Sequence, residues 1–525
     1  MSTKGLRSTK TRDRRRVMQP LDRAASLTIA LLSVVIGLML LLGSQALPSV
    51  RTFSWQDKAV SANDVAFLLT FAQPMDPQSV EQNLTIEPPL EGKFSWAGRK
   101  MAYTLAMPAP YGQSYKLSLP EAKALSRSGK GSRDLDAGFE PFASEFKTRD
   151  LLFAYIGAAG EERGRLVLFN LTAKESTILT PADQTVLDFK PYPGRDRILY
   201  SAIDNAPAAE DESSLALPEL FTVTTGVNSG EVSPRWQFWQ QQGEQPSGMI
   251  KTLLDNREYQ NLKFDLSPDG DVIVVQRVHR ERPADFGPWV LMSDEPARKL
   301  KTEPGGDFKI APDSLSLLLQ QGKGTAVIAL EPDLTAAEDS ELLDFLPEYG
   351  LTLDIANDGS AAALVNFNQD DPEKRFTQSL FWVSNKGEEK QLLQTDGAIL
   401  SAQFNESNEI LYCLVNKLLP GEDYQVIPYL TAVNVKTGDA QKLLEMPPQP
   451  EITVSPSPDD LSILFDEVLV NDPQASSTGA GFEGPTHRLW LLPLFGTQAE
   501  RLKGEPVPLA PTELDIAGSH PMWLP

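Results

Sequence analysis

The sequence predicts an all-β body of two units, a β-sandwich followed by a β-propeller, preceded by one transmembrane helix. Three observations lead there. Ala24–Val50 carries no charge and follows a basic tail, residues 51–149 fall into short alternating apolar runs broken by Pro and Gly, and residues 150–525 repeat one strand–turn–strand unit. At 525 residues the chain exceeds what a single core organises. Its 41% hydrophobic content with 41 Pro and 35 Gly fits short strands and frequent turns.

The apolar run Ala24–Gly43 is 20 residues long, about 30 Å of helix and enough to cross a bilayer. Residues 1–23 precede it with eight Lys/Arg (Lys4, Arg7, Lys10, Arg12, Arg14, Arg15, Arg16, Arg23) against Asp13 and Asp22. The positive-inside rule makes them a basic cytoplasmic tail, residues 24–47 a signal-anchor helix, and the remainder an exported body. The expected location is a bacterial inner membrane, single-pass, with the body in the periplasm or extracytoplasmic space and the lipid bilayer as first partner. Ser44-Gln45-Ala46 resembles a cleavage site, so cleavage after Ala46 stays open; the long apolar run, the long basic tail and Pro48 favour retention.

Beyond residue 23 there are 40 basic and 69 acidic residues, a net charge of −29. Such a surface repels nucleic acid and anionic headgroups, so no nucleic-acid partner is expected. Cys413, the only cysteine, excludes an intrachain disulfide and a cysteine-rich metal site. It reads as a small buried apolar residue in a strand.

In the first unit, Val65, Phe67, Leu69 and Phe71 alternate with Ala66, Leu68 and Thr70 before the turn Pro74-Met75-Asp76. Further strands read at Leu84–Ile86, Gly92–Trp96, Met101–Leu105 and Ser114–Leu119. Phe71, that turn, Tyr115-Lys116-Leu117-Ser118-Leu119 and Phe146-Lys147-Thr148 follow in the order of the SbsA-type Ig-like domain, which residues 53–149 resemble. The resemblance implies a spacer or adhesion module without catalytic residues. Asp76 reads as a turn cap.

In the second unit the repeat appears at Leu187–Ser201, Asn261–Val275, Asp307–Leu319, Thr352–Val365, Ser401–Val415 and Glu451–Phe465. Its turns, at Pro193, Pro268, Pro312, Asn357, Glu406 and Pro458, are separated by 75, 44, 45, 49 and 52 residues, the spacing of four-stranded propeller blades. The Ser-Pro-Asp-Gly turn resembles those of TolB-like and prolyl-oligopeptidase N-terminal propellers, which implies architecture only. Six blades are favoured, with the ring closed by the first strand, Leu151–Ile156, and seven or eight left open. The 75-residue step holds an insertion or a degenerate blade.

No catalytic motif stands out. His279, His487 and His520 are isolated, and no HExxH, Gly-x-Ser-x-Gly or P-loop occurs, so no catalytic, cofactor-binding or metal residue is assigned. Asp370-Asp371 and Asp459-Asp460 could serve a glycosidase or hold calcium, but both lie at turns, where Asp is structural. The loops Asp204–Leu217 and Asn471–Thr486 are long and polar, and Trp236, Phe238 and Trp239 form the candidate partner-binding cluster. The resulting reading is a non-catalytic envelope protein whose propeller binds a protein or envelope partner, with the Ig-like unit as spacer. Its rivals are an envelope hydrolase acting on glycan or peptide through channel carboxylates, and a purely structural component.

Overall fold

The structure, a computed structural model, describes residues 20–43, 47–125, 138–205, 217–227, 245–292, 295–322, 324–330, 346–347, 350–419, 421, 425–449, 451–469, 486–507 and 509–525. Apart from helix α1 (Pro20–Gly43) and short helices at Pro77–Asn83 and Gln498–Lys503, its regular elements are strands and one 3-10 turn.

Helix α1 runs unbroken for 24 residues, about 36 Å at ~1.5 Å per residue. Its described side chains cover residues 27–38, and Leu27, Ile29, Leu31, Leu32, Val34, Val35, Ile36 and Leu38 are all exposed. Among the described residues no helix is long and apolar enough to cross a membrane.

Residues 50–148 form two four-stranded sheets. One runs Val50–Phe53, Ala66–Phe71, Lys100–Leu105, Gly92–Ala97; the other Ala59–Val60, Phe142–Thr148, Ser114–Leu119, Thr85–Glu87. Period-2 alternation turns one face of each strand inward, so Phe53, Phe67, Leu69, Phe71, Tyr115 and Phe146 share one core. Val65 lies outside the strand it was expected to open and is exposed, because pairing begins at Ala66. Asp76 is the N-cap of Pro77–Asn83 and accepts the Gln78 N–H at 3.3 Å.

From Leu152 onward the strands form seven consecutive antiparallel sheets, named here blades I–VII. Their innermost strands are Gly518–Trp523 (I), Gln184–Pro191 (II), Tyr259–Leu266 (III), Phe308–Ile310 (IV), Leu351–Ile355 (V), Ile399–Phe404 (VI) and Val454–Pro456 (VII). Seven separate apolar clusters lie one between each pair of successive blades, and the last, with Phe153, Tyr155, Leu464, Leu489 and Trp523, joins VII to I. A ring in which every sheet packs face to face on the next is a propeller.

Blade number and closure correct the expectation from sequence. Among the described residues there are seven blades rather than six, because Gly518–Trp523 completes blade I by pairing with Leu152–Gly157, with Ser519 opposite Ile156 and Trp523 opposite Phe153. The last strand therefore supplies the inside of a blade whose other strands come first in the chain. The pairing joins strands more than 350 residues apart, which no local pattern records. The 75-residue step is one blade: Glu219–Thr224 and Ile250–Leu254 belong to the sheet of Gln184–Pro191 and Arg197–Asp204. Cys413 is fully buried in the cluster between blades V and VI, and burial pushes its thiol up.

Candidate functional site: the axial channel and the sandwich–propeller joint

All seven innermost strands line one cavity of about 560 Å³ on the ring axis, from Lys190 and Leu266 through Lys309, Asp354 and Gln403 to Ser455 and Met522. Its chemistry follows from two repeat positions, three and five residues before the turn. At the first position Lys190, Lys309, Asp354, Gln403, Ser455 and Met522 line the cavity, and at the second Ser401 and Thr453 do.

In blades II to IV both positions are charged and the sign alternates, and in blade V Asp354 continues the series beside Thr352. Asp188 and Lys190 are followed by Lys263 and Asp265, then by Asp307 and Lys309, then by Asp354. Each lysine thereby meets an aspartate of the next blade: Lys190 pairs with Asp265, Lys263 with Asp307 and Lys309 with Asp354. The aspartates also reach backbone, Asp265 accepting the Ile310 N–H at 2.7 Å and Asp354 the Phe404 N–H at 2.8 Å. Burial works against the Lys309 ammonium, yet Asp354 and Asp265 outweigh it and hold this lysine above its ordinary value. Lys263, with burial and the like charge of Lys190 against it, is drawn below its own, and burial lifts Asp188 despite Lys190.

In blades VI, VII and I the same positions hold Ser401 and Gln403, Thr453 and Ser455, His520 and Met522. Gln403 Nε2 donates to the Val454 carbonyl at 2.8 Å, and Ser455 accepts the Trp523 N–H at 3.2 Å. Buried Asp466 accepts the N–H groups of Thr453 (2.6 Å) and His520 (2.9 Å), tying the closing strand to blade VII. Burial raises Asp466, against those two bonds and the nearby His520 and His487.

A second polar cluster joins the sandwich to the turn side of the ring. Asp459 accepts the Tyr111 N–H at 3.0 Å and the Ser457 hydroxyl at 2.7 Å. Arg501, on the helix Gln498–Lys503, donates to the Pro108 carbonyl at 2.5 Å and the Asp459 carbonyl at 3.1 Å. Arg195 donates to the Asp150 carbonyl at 2.6 Å, and burial pulls this guanidinium down to about 10. Next to Asp459, Asp460 accepts from Asn405 Nδ2 (3.0 Å) and the Glu406 N–H (3.3 Å). Burial, with Glu406 and Asp459 adding, lifts it to about 7.

The residues singled out from sequence are thus distributed rather than gathered. Trp236, Phe238 and Trp239 lie outside the described residues, as do most of the two long loops. Asp459 and Asp460 are structural groups of blade VII, and exposed Asp371 caps the Glu373 N–H at 3.0 Å. His279 Nδ1 accepts the Glu281 and Arg282 N–H groups, each at 3.1 Å, closing a turn. Among the described residues no group of three or more His, Cys, Asp or Glu could hold a metal ion. The channel ladder was missed, although its signal lies in the repeat: Lys, Asp, Lys, Asp stand three residues before four successive turns.

No protein-family model matches the chain, and no curated protein matches it. Solved structures give distant likenesses. TolB from Acinetobacter baumannii is 10% identical with a TM-score of 0.37, over 72% of this chain and 67% of that one. Oligogalacturonate lyase from Vibrio parahaemolyticus is 13% identical with a TM-score of 0.41, over 66% and 92%. Prolyl oligopeptidase B from Galerina marginata is 8% identical with a TM-score of 0.41, over 67% and 47%. Likenesses at this level assign no activity, and the propeller rests on the order of the sheets themselves.

Proposed function

We propose that this chain is a non-catalytic bacterial envelope protein, held in the inner membrane by α1 with residues 1–23 in the cytoplasm. The sandwich is a spacer of the SbsA-type Ig-like kind, and the propeller, on the extracytoplasmic side, binds a protein or envelope partner through its rim loops. The observation that carries the binding reading is the channel ladder. The carboxylates on which a hydrolase would rely, Asp265, Asp307 and Asp354, hold lysines of neighbouring blades and so act as scaffold. The anchor reading is supported by an unbroken 24-residue helix whose described apolar side chains have no protein cover, next to a basic tail.

Protease added outside spheroplasts should degrade everything after about residue 50 and leave a small N-terminal fragment; protection of the body defeats the topology. In a deletion strain, chains lacking 206–216 or 472–485 should fail to restore the wild-type phenotype, whereas Asp370→Asn with Asp371→Asn should restore it. The opposite pattern in folded proteins turns the reading toward an enzyme.

A further inference from the structure

We propose that the half of the axial channel without lysine–aspartate pairs, formed by blades VI, VII and I, is a binding site for an uncharged saccharide. The site is separate from the rim loops of the preceding reading. The cavity of about 560 Å³ lies within the ~300–1,000 Å³ usual for ligand clefts.

Three features select the ligand class. The first is charge pairing. An anion would have to draw Lys190 from Asp265 or Lys309 from Asp354, and a cation would have to do the reverse, so a charged ligand must break an ion pair before making one. The second is the state of the strand edges. The inward N–H groups of Ile310, Phe404 and Trp523 are taken by Asp265, Asp354 and Ser455, and the Val454 carbonyl by Gln403. A peptide therefore finds few backbone groups with which to pair as an added strand. The third is what remains available. The hydroxyls of Ser401 and Thr453 and the Gln403 carbonyl have no protein partner among the described residues, and they line the cavity beside Leu400 and Met522. Hydroxyls and an amide next to apolar carbon suit a ring with hydroxyl edges and C–H faces.

The test is calorimetric titration of the full-length protein in nanodiscs with five probes: chitobiose and maltotriose (neutral), digalacturonate (anionic), the glucosamine dimer (cationic), and an acetylated, amidated trialanine. Binding of a neutral saccharide at least tenfold tighter than the other three is expected. Ser401→Ala and Thr453→Val should each weaken it roughly tenfold, the worth of about one hydrogen bond, at unchanged Tm. Leu400→Trp, at an exposed lining position, should abolish it without altering a buried group. A chain lacking 206–216 should bind the saccharide as before, which separates this site from the loops. No binding of either neutral saccharide, equal or tighter binding of a charged probe or the peptide, or indifference to all three substitutions overturns the proposal.

Discussion

The two halves of the channel wall are built from the same repeat and held by different forces. Blades II to V are joined at the axis by lysine–aspartate pairs whose sign alternates from blade to blade. Blades VI, VII and I are joined there by an amide, a serine and one buried aspartate acting on backbone N–H groups. Apolar clusters bind every blade to the next in both halves, so the difference lies in polar groups alone. Where charge holds the blades it is committed to its partners. Where an amide, a serine and an aspartate bound to N–H groups hold them, hydroxyls are left over, and the channel has a structural side and a side able to receive a ligand.

The largest expected effect tests the charged half. Asp265→Ala removes the partner of Lys190 and leaves the buried Ile310 N–H unmet, for a cost of about 2–4 kcal/mol after allowing for the partial exposure of Lys190. Urea unfolding measures it. Gln403→Ala, at the same repeat position in the other half, should cost about 1 kcal/mol. Equal costs would remove the contrast between the halves.

Next in size is the joint on blade VII. Asp459→Ala strips the acceptor from the buried Tyr111 N–H and should cost about 1–3 kcal/mol. It should speed proteolysis near Arg149–Asp150, and fragment 150–525 should melt below the intact chain. An unchanged proteolytic rate would mean that Arg501 and Arg195 hold the sandwich by themselves.

A smaller effect depends on pH. Asp460 rises from 3.8 when free to about 7 in the fold. Between these values the unfolded chain releases the proton that the folded chain keeps, so this group lowers stability as pH rises from about 4 to about 7, with no further change above. Asp188 and Asp466, which burial also lifts, act in the same sense. Asp460→Asn should therefore remove a downward slope from the stability–pH curve in that window, as read by melts at several pH values.

Much of the architecture was legible in the sequence, because apolar alternation and turn chemistry are local. The repeated turns located blades II to VII, and Asp76 behaved as the cap its turn suggested. The closing strand was harder to read, since Gly518–Trp523 pairs with Leu152–Gly157, more than 350 residues away, and no local pattern records that contact. The channel was half legible. Lys190, Asp265, Lys309 and Asp354 occupy one repeat position, but opposite charges there count as mismatches until the ring sets each beside the next. Asp459 read as a turn residue and is one, yet its bond to Tyr111 depends on the second unit sitting over that turn.

The smallest expected effect bears most directly on the half without lysine–aspartate pairs. Ser401 and Thr453 are partly buried, and their hydroxyls bond to no described protein group, so removing them loses no internal hydrogen bond. Thr453→Val keeps the side-chain shape and the N–H that Asp466 holds, while Ser401→Ala removes one oxygen from a wall facing open space. Both should change stability by less than about 0.5 kcal/mol, the range of substitutions that disturb neither packing nor a buried partner. A loss well above that in urea unfolding would show these hydroxyls to be structural. That half would then be closed in the same sense as the charged one, with no polar group left over for a ligand.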